Sequence, residues 1–187
     1  MKTPTITVIA LALMGCAIAQ DVPPLPPLRG DAASLKDTMK FIQNKLPGRV
    51  NYAVYGHDNL TGADAPINKR TMDLSNVSAG ADSCSISFHF RFDNGRGFIE
   101  DRYQDVSLGL VHEVTVTQMD QFIGQENAKA SHPEVSVKVD PAVFLVRLKS
   151  PRDGFMFNFY DEELADRVAK ALQHAMMLCG GGTQEPF

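Results

Sequence analysis

Histidine and cysteine are the residue types in this sequence best suited to metal binding, proton transfer or covalent chemistry. The five histidines are His57, His89, His112, His132 and His174. No pair has the His-Glu-x-x-His spacing of a zinc enzyme, and no Cys-x-x-Cys pair is present. His112 and Glu113 are neighbours on a predicted strand, so their side chains point to opposite faces and do not share a metal. The sequence therefore predicts no metal and no cofactor.

His89 is the histidine that we single out, because it lies among serines on the solvent-facing side of the clearest predicted strand. Glu100, Asp101 and Asp105 follow on the next strand and could include a catalytic carboxylate pair. Arginines lie among them, and this pattern is more typical of cross-strand ion pairs. The sequence also lacks a Gly-x-Ser-x-Gly elbow, a phosphate-binding loop and a dinucleotide fingerprint. An enzyme with an unrecognised site is therefore the least favoured of three functional predictions.

Residues 1–19 have the pattern of an export signal. Lys2 precedes an apolar run, and Ala17-Ile18-Ala19 matches the small-x-small sequence that signal peptidase cleaves. The apolar run is shorter than the roughly 20 residues of a membrane-spanning helix, and no later run approaches that length. We therefore predict a protein that is exported to the periplasm or the extracellular space and has no transmembrane span.

Cys16 offers a second interpretation of the same segment. Leu13-Met14-Gly15-Cys16 resembles a bacterial lipobox, in which Cys16 would be lipidated and would anchor the protein to a membrane surface. Methionine is an uncommon residue at the second lipobox position, and the apolar run continues beyond Cys16, so we favour cleavage after Ala19. Both interpretations place the protein outside the cytoplasm.

Cys84 and Cys179 are the two cysteines that remain after cleavage at Ala19. Thiols of exported proteins are normally oxidised in pairs, and both cysteines lie on apolar faces of predicted elements. A disulfide between them would tie the C-terminal helix to the rim of the sheet. Two separately buried thiols are the alternative, because cysteine is also a common core residue.

Two segments have the 3.6-residue period of amphipathic helices. The first covers residues 31–46, with a capping box formed by Ser34 and Asp37. The second begins after Asp161, the expected N-cap, and ends at Gly180. Its apolar stripe consists of Leu164, Val168, Ala171, Leu172, Ala175 and Cys179. Both helices are therefore expected to pack one face on the rest of the domain.

The sequence between these helices has the two-residue period of β-strands. Strands are predicted around residues 50–54, within 69–77, and at 84–92, 97–105, 111–118, 135–139, 143–148 and 155–160. Asp93-Asn94-Gly95 is expected to form a hairpin turn. Residues 56–66 are predicted to be a loop, and residues 120–133 a long loop with a helical turn. Phe88 and Leu172 are predicted to share one apolar layer between sheet and helix.

This order of elements indicates an α+β fold with seven or eight antiparallel strands arranged as a meander. The predicted organisation is a signal peptide (1–19), a proline-rich linker (20–33), a single α+β domain (34–179) and a disordered tail (180–187). Over residues 49–179 the element order resembles that of the pleckstrin-homology-like barrel. This resemblance implies an antiparallel barrel or a strongly bent sheet, with an N-terminal helix and a C-terminal capping helix.

The C-terminal sequence carries a second resemblance. Residues 165–175, with Leu178-Cys179-Gly180-Gly181 and Glu185-Pro186-Phe187, are similar to the ends of uncharacterised exported bacterial proteins. This resemblance implies an exported location and gives no residue a function.

The leading functional prediction is a non-catalytic exported domain that binds a protein, a peptide or a component of the cell envelope. The alternative is a carrier of a small apolar ligand, held between the sheet and the C-terminal helix near Phe157, Val168 and Leu172. The net charge is −4, and nucleic-acid binders usually have a basic balance. We therefore do not expect a nucleic-acid partner.

Overall fold

The computed structural model describes residues 33–58, 63–129, 135–151 and 154–182, and the structural statements below refer to these residues. Their elements are α1 (Leu35–Lys45), β1 (Gly48–Asp58), β2 (Asp64–Gly80), β3 (Ser85–Asp93), β4 (Ile99–Ser107), β5 (Glu113–Gln118), α2 (Met119–Lys129), β6 (Val135–Asp140), β7 (Phe144–Lys149), β8 (Gly154–Phe159) and α3 (Glu162–Leu178). None of the described helices combines the length and the apolar character needed to span a membrane. The predicted signal peptide, Cys16, the linker up to residue 32 and the last five residues of the predicted tail lie outside the described residues.

The two predicted helices are present with the predicted caps. The Oγ atom of Ser34 accepts the backbone N–H of Asp37 at 3.2 Å, and the carboxylate of Asp161 accepts the N–H of Leu164 at 2.9 Å. These side chains satisfy N–H groups that have no partner within the helix. The apolar faces of α1 and α3 both contribute to one hydrophobic core.

The eight described strands form two antiparallel sheets. The larger sheet has the order β4-β3-β2-β1-β6, and the smaller sheet has the order β5-β7-β8. In β3 the alternation predicted from the sequence is confirmed, because Ile86, Phe88 and Phe90 are buried. The predicted hairpin turn is also present, and Gly95 has a φ angle of +67°, which favours glycine.

The α+β class and the antiparallel pairing are confirmed, but the described strands do not close into a barrel. The chain leaves the larger sheet after β4 through a short 3₁₀ helix, Leu108–Leu110, and β5 then pairs with β7. β6 returns to the free edge of β1. The predicted meander is therefore confirmed for β1–β4 and wrong beyond β4, because a strand's period indicates which side chains share a face and not which strand lies beside it. β4 is therefore an edge strand of the larger described sheet, and β8 is an edge strand of the smaller one.

The loop predicted at residues 56–66 is also wrong at residues 56–58 and 64–66, whereas residues 59–62 lie outside the described residues. β1 continues to Asp58 and β2 begins at Asp64, with Gly56 paired to Ala65. On its other side Gly56 pairs with Val137 of β6. Pairing with β2 and β6 on its two sides holds the end of β1 extended, although this polar, glycine-containing sequence has no strand-like pattern. β2 is therefore 17 residues long instead of lying within residues 69–77.

Residues 120–133, predicted as a loop with a helical turn, contribute most of the 11-residue helix α2. Phe122 and Ile123 follow Met119 at positions i+3 and i+4, so the three side chains lie on one face of this helix. That face packs on a core that also contains Val143 and Leu145. The tertiary contact of three apolar residues stabilises a helix whose remaining sequence is mostly polar.

The buried side chains form two hydrophobic clusters on opposite faces of the smaller sheet. Val146 belongs to the main core, together with Phe88 of β3 and Leu172 of α3. Leu145, its neighbour in sequence, belongs to the second core, together with Met119 of α2. Phe88 and Leu172 are 1% and 0% exposed, so their predicted place in one apolar layer is confirmed.

Cys84 and Cys179 lie at disulfide distance, as predicted, with their Sγ atoms 2.07 Å and their Cα atoms 5.7 Å apart. The chain beyond Cys179 packs closely on the 3₁₀ helix. A Cβ atom added to Gly181 would lie 2.5 Å from the carbonyl oxygen of Leu108 and 2.6 Å from that of Val111, so this position requires glycine. The end of α3 is therefore held by a cross-link and by close backbone packing.

Candidate functional site

A cavity of about 250 Å³ lies between the inner face of the larger sheet, helix α2 and strand β8. Its apolar wall consists of Met72, Phe90, Phe92, Met119, Phe122, Ile123, Leu145, Phe155 and Met156. Its polar groups come from Tyr52, Arg70, Glu100, Arg102 and Asn158. A mainly apolar cavity with a few polar groups is the usual form of a small-molecule site. We therefore treat this inter-sheet cavity as the candidate functional site.

The inter-sheet cavity interrupts the hydrophobic interior. Met72 and Phe90 on its wall belong to the main core, whereas Tyr52, Met119 and Leu145 belong to the second core. Protein interiors are normally close-packed, and voids larger than a water molecule are few. Atoms that line such a space lose dispersion contacts that they would make in a close-packed interior. The apolar wall of the inter-sheet cavity is therefore a surface that a ligand can cover.

The edge of β8, and not one of its faces, borders the cavity. The four lining residues of β8 are Gly154, Phe155, Met156 and Asn158. Successive residues of a strand point to opposite faces, so contributions from both sets place the strand's edge at the cavity. Glu100 and Arg102 of β4, the other edge strand, also border it. The side chain of Arg102 is 55% exposed and Met156 is 38% exposed, so the cavity opens to solvent between β4 and β8.

Tyr52 and Arg70 place two polar groups side by side in the cavity. They are directly opposite each other in the β1–β2 register, so their side chains share the inner face. Burial raises the pKa of the Tyr52 hydroxyl, while the charge of Arg70 and hydrogen bonds to Arg70 and Asn158 act in the opposite direction. The net shift is upward, so the hydroxyl stays protonated at neutral pH.

The charges of the cavity do not cancel within the described residues. Glu100 is paired with Arg102, whose Nε atom lies 2.8 Å from the Glu100 carboxylate. The Nε atom of Arg70 donates to the side-chain oxygen of Asn68 at 3.3 Å, a neutral partner. No carboxylate of the described residues lies within salt-bridge distance of Arg70. The cavity therefore contains one guanidinium charge without a described counter-charge.

The site predicted from the sequence lies elsewhere. Phe157, Val168 and Leu172 are brought together, but they are packed in the main core and are 1%, 0% and 0% exposed. The cavity borders α2 instead, the helix that the sequence analysis predicted as a loop. The spacing of Met119, Phe122 and Ile123 is the sequence signal that could have indicated both the helix and its apolar face.

His89 lies in a hydrogen-bonded line that crosses three strands of the larger sheet. The Oγ atom of Ser75 lies 3.4 Å from its Nδ1 atom, and a carboxylate oxygen of Asp101 lies 2.6 Å from its Nε2 atom. Asp101 also accepts a hydrogen bond from Arg91 at 3.3 Å. The predicted cross-strand ion pairing is therefore confirmed for Asp101, whereas Glu100 pairs with an arginine of its own strand.

Ser75, His89 and Asp101 have the residue types of a hydrolase triad, but their setting differs from one. His89 and Asp101 are 27% and 43% exposed on the solvent-facing side of the sheet. The Ser75–His89 distance is at the upper limit of a hydrogen bond. Acyl transfer also needs donors aimed at the developing oxyanion and a pocket for the substrate, and none of these three residues borders the inter-sheet cavity. We interpret the line as a polar network of the sheet surface.

The other predicted candidates are dispersed. Glu113 is paired with Lys149 at 2.6 Å, and this hydrogen bond lowers the pKa of the Glu113 carboxyl. The Nε2 atom of His174 lies 2.9 Å from the carbonyl oxygen of Ala33. Within the described ranges, no three His, Cys, Asp or Glu side chains are grouped so that they could hold a metal. His132 lies outside the described residues.

No protein-family model, curated protein or solved structure matches the chain. The resemblances to the pleckstrin-homology-like barrel and to exported bacterial proteins therefore stay predictions. The geometry of the inter-sheet cavity is therefore the basis on which a function is proposed.

Proposed function

We propose that this protein is an exported, non-catalytic binding domain that holds a small amphipathic ligand in the inter-sheet cavity. The observation that carries the proposal is a mainly apolar cavity of about 250 Å³ that is lined by residues of both hydrophobic cores. A ligand in this space restores the dispersion contacts that the cavity walls lack. Because such a ligand binds the folded chain and not the unfolded chain, it also stabilises the fold.

The volume of the cavity limits the size of the ligand. An apolar cavity of about 150 Å³ accommodates benzene, and drug-sized ligands occupy about 300 to 1,000 Å³. The inter-sheet cavity, at about 250 Å³, lies between these values. The ligand is therefore expected to be the size of a medium-length alkyl chain or a substituted ring.

A small ligand is favoured over the protein or peptide partner that the sequence analysis placed first. A protein partner needs an exposed contact area of several hundred square ångströms, about 800 Å² in a typical complex. Three of the apolar side chains of this site are buried instead, with Phe90 9%, Met119 5% and Leu145 0% exposed. A molecule that enters between β4 and β8 reaches these side chains, whereas a protein surface does not.

Export is part of the proposal. The Cys84–Cys179 pair at disulfide distance supports it, because disulfides persist in oxidising compartments. The pattern of residues 1–19 supports it from the sequence.

A single tryptophan placed on the cavity wall tests the proposal. The chain contains no tryptophan, so Phe122→Trp introduces a unique fluorophore beside the cavity. Leu178→Trp, at a position that is 51% exposed at the end of α3, is the matched control. We expect octanoate or 1-octanol to produce a saturable blue shift in the Phe122→Trp protein and none in the control. Equal responses in both proteins, or no response to either compound, would contradict a cavity ligand.

A further inference from the structure

We propose that the ligand of the inter-sheet cavity is a monocarboxylate whose head group is bound by Arg70. This inference rests on the proposed function and names the chemical class of the ligand. Arg70 is a charged side chain on the inner face of β2, a central strand of the larger sheet.

Arg70 lies where the pattern of β2 would otherwise place an apolar residue. It is opposite Tyr52 of β1 on the inner face, and Met72 and Leu74 continue the same face toward the main core. β2 lies in the middle of the five-stranded sheet. A charge at a half-buried position on this face loses hydration, and that loss is offset only by hydrogen bonds and a counter-charge.

Arg70 has hydrogen-bonding partners among the described residues, but it has no counter-charge among them. Asn68 accepts from the Nε atom of Arg70, and Tyr52 is its hydrogen-bonding neighbour on the other strand. Burial raises the pKa of Tyr52, so the phenol does not supply a negative charge at neutral pH. Glu100, the carboxylate of the cavity wall, is paired with Arg102. An anionic ligand group therefore completes the charge balance at Arg70.

A carboxylate fits the donors that remain. Asn68 accepts from the Nε atom of Arg70 and Tyr52 is a second partner, so these two contacts leave other N–H donors of the guanidinium for the oxygens of a carboxylate. Asn158 also borders the cavity and adds an amide group. One guanidinium charge matches one carboxylate, whereas a dianion would leave a second, unmatched charge beside a mainly apolar wall.

The apolar wall accounts for the rest of the ligand. Phe90 and Phe92 of β3, Phe122 of α2 and Phe155 of β8 surround the space beyond the polar groups. Aromatic and methionine side chains adapt to alkyl chains and rings alike. The class inferred is therefore an alkyl or aryl monocarboxylic acid of medium size.

The test compares octanoate with 1-octanol, which share a tail and differ in the head group. With the parent protein at neutral pH, titration calorimetry is expected to show octanoate binding more than about tenfold more tightly than 1-octanol, since charge-assisted hydrogen bonds are the stronger class. Arg70→Met should remove this preference. Arg91→Met is the control and should keep the parent's preference within about twofold, because Arg91 is exposed on the outer face of β3 and does not border the cavity.

The outcomes separate the inference from the function on which it rests. Equal affinity of the parent for the two compounds would overturn the carboxylate inference and leave the cavity ligand in place. An undiminished preference in Arg70→Met would also overturn it. Absence of binding by both compounds would overturn the proposed function and this inference with it. Because the first comparison uses only the parent protein, it does not depend on the folding of any variant.

Discussion

The Cα atoms of Cys84 and Cys179 lie 5.7 Å apart, although 95 residues separate the two positions in the sequence. Cys84 directly precedes β3, and Cys179 directly follows α3. The main core lies between these two elements and contains Phe88 of β3 and Leu172 of α3. The cross-link therefore holds the last helix against the sheet on which it packs.

Removal of this cross-link is expected to destabilise the fold. The double substitution Cys84→Ala and Cys179→Ala should lower the free energy of unfolding by about 2 to 4 kcal/mol, because a disulfide that closes a long loop restricts the unfolded chain. Urea denaturation followed by circular dichroism measures the change. Thiol titration of the denatured, unreduced chain beginning at Gln20 should detect no free thiol, and two free thiols per chain would contradict the pairing.

Phe88 and Leu172 are predicted to be critical for the main core. Phe88→Ala and Leu172→Ala should each lower the free energy of unfolding by about 2 to 5 kcal/mol, through lost burial and the cavity left behind. Lys170→Ala, on the exposed side of α3, is the control and should change it by less than about 0.5 kcal/mol. Equal urea midpoints for Phe88→Ala and the parent would show that the register of β3 is wrong.

The buried hydroxyl of Tyr52 predicts a loss of stability at high pH. Burial raises its pKa above the usual 10.0, so the unfolded chain releases this proton at a lower pH than the folded chain does. The stabilisation is therefore fully present below about pH 10 and is lost as the pH rises toward the folded pKa. Between about pH 9 and pH 11, the parent should lose stability more steeply than Tyr52→Phe. Tyr103→Phe, whose side chain is 76% exposed, is the matched control and should keep the parent's slope.

Ser75 and His89 are predicted to have no catalytic role. The parent should hydrolyse p-nitrophenyl esters no faster than an equal concentration of free imidazole. Ser75→Ala should change the free energy of unfolding by less than about 1 kcal/mol, because Ser75 is a partly exposed polar residue outside the hydrophobic cores. Ser87→Ala is the control, because Ser87 lies on the same face of β3 as His89. Turnover by the parent that Ser75→Ala abolishes and Ser87→Ala preserves would contradict the non-catalytic account.

The sequence predicted those parts of the fold that depend on local pattern. The caps at Ser34 and Asp161 and the buried face of β3 follow from residue type and period, and the structure contains them. The pairing of Cys84 with Cys179 followed from their number and the export signal. In each case the information lies within a few residues or in a simple count.

The candidate site could not be predicted in the same way, because it is formed by residues that are distant in sequence. Tyr52 and Arg70 become neighbours through a β1–β2 register that the predicted loop at residues 56–66 concealed. Met119 and Phe122 reach the cavity through α2, whose mostly polar sequence concealed a narrow apolar face. The edge of β8 borders the cavity because the strands divide into two sheets, and strand periods do not specify that division.

Methionine methyl NMR tests the central claim most directly, because methionines lie both on the cavity wall and away from it. Met72, Met119 and Met156 line the cavity, whereas Met39 and Met176 lie in the main core and do not line it. With ¹³C-methyl-methionine protein titrated with octanoate, we predict saturable shifts of the three cavity methyl signals and unchanged signals from Met39 and Met176. Shifts confined to Met39 and Met176, or uniform shifts of all five signals, would contradict a ligand site between the two sheets.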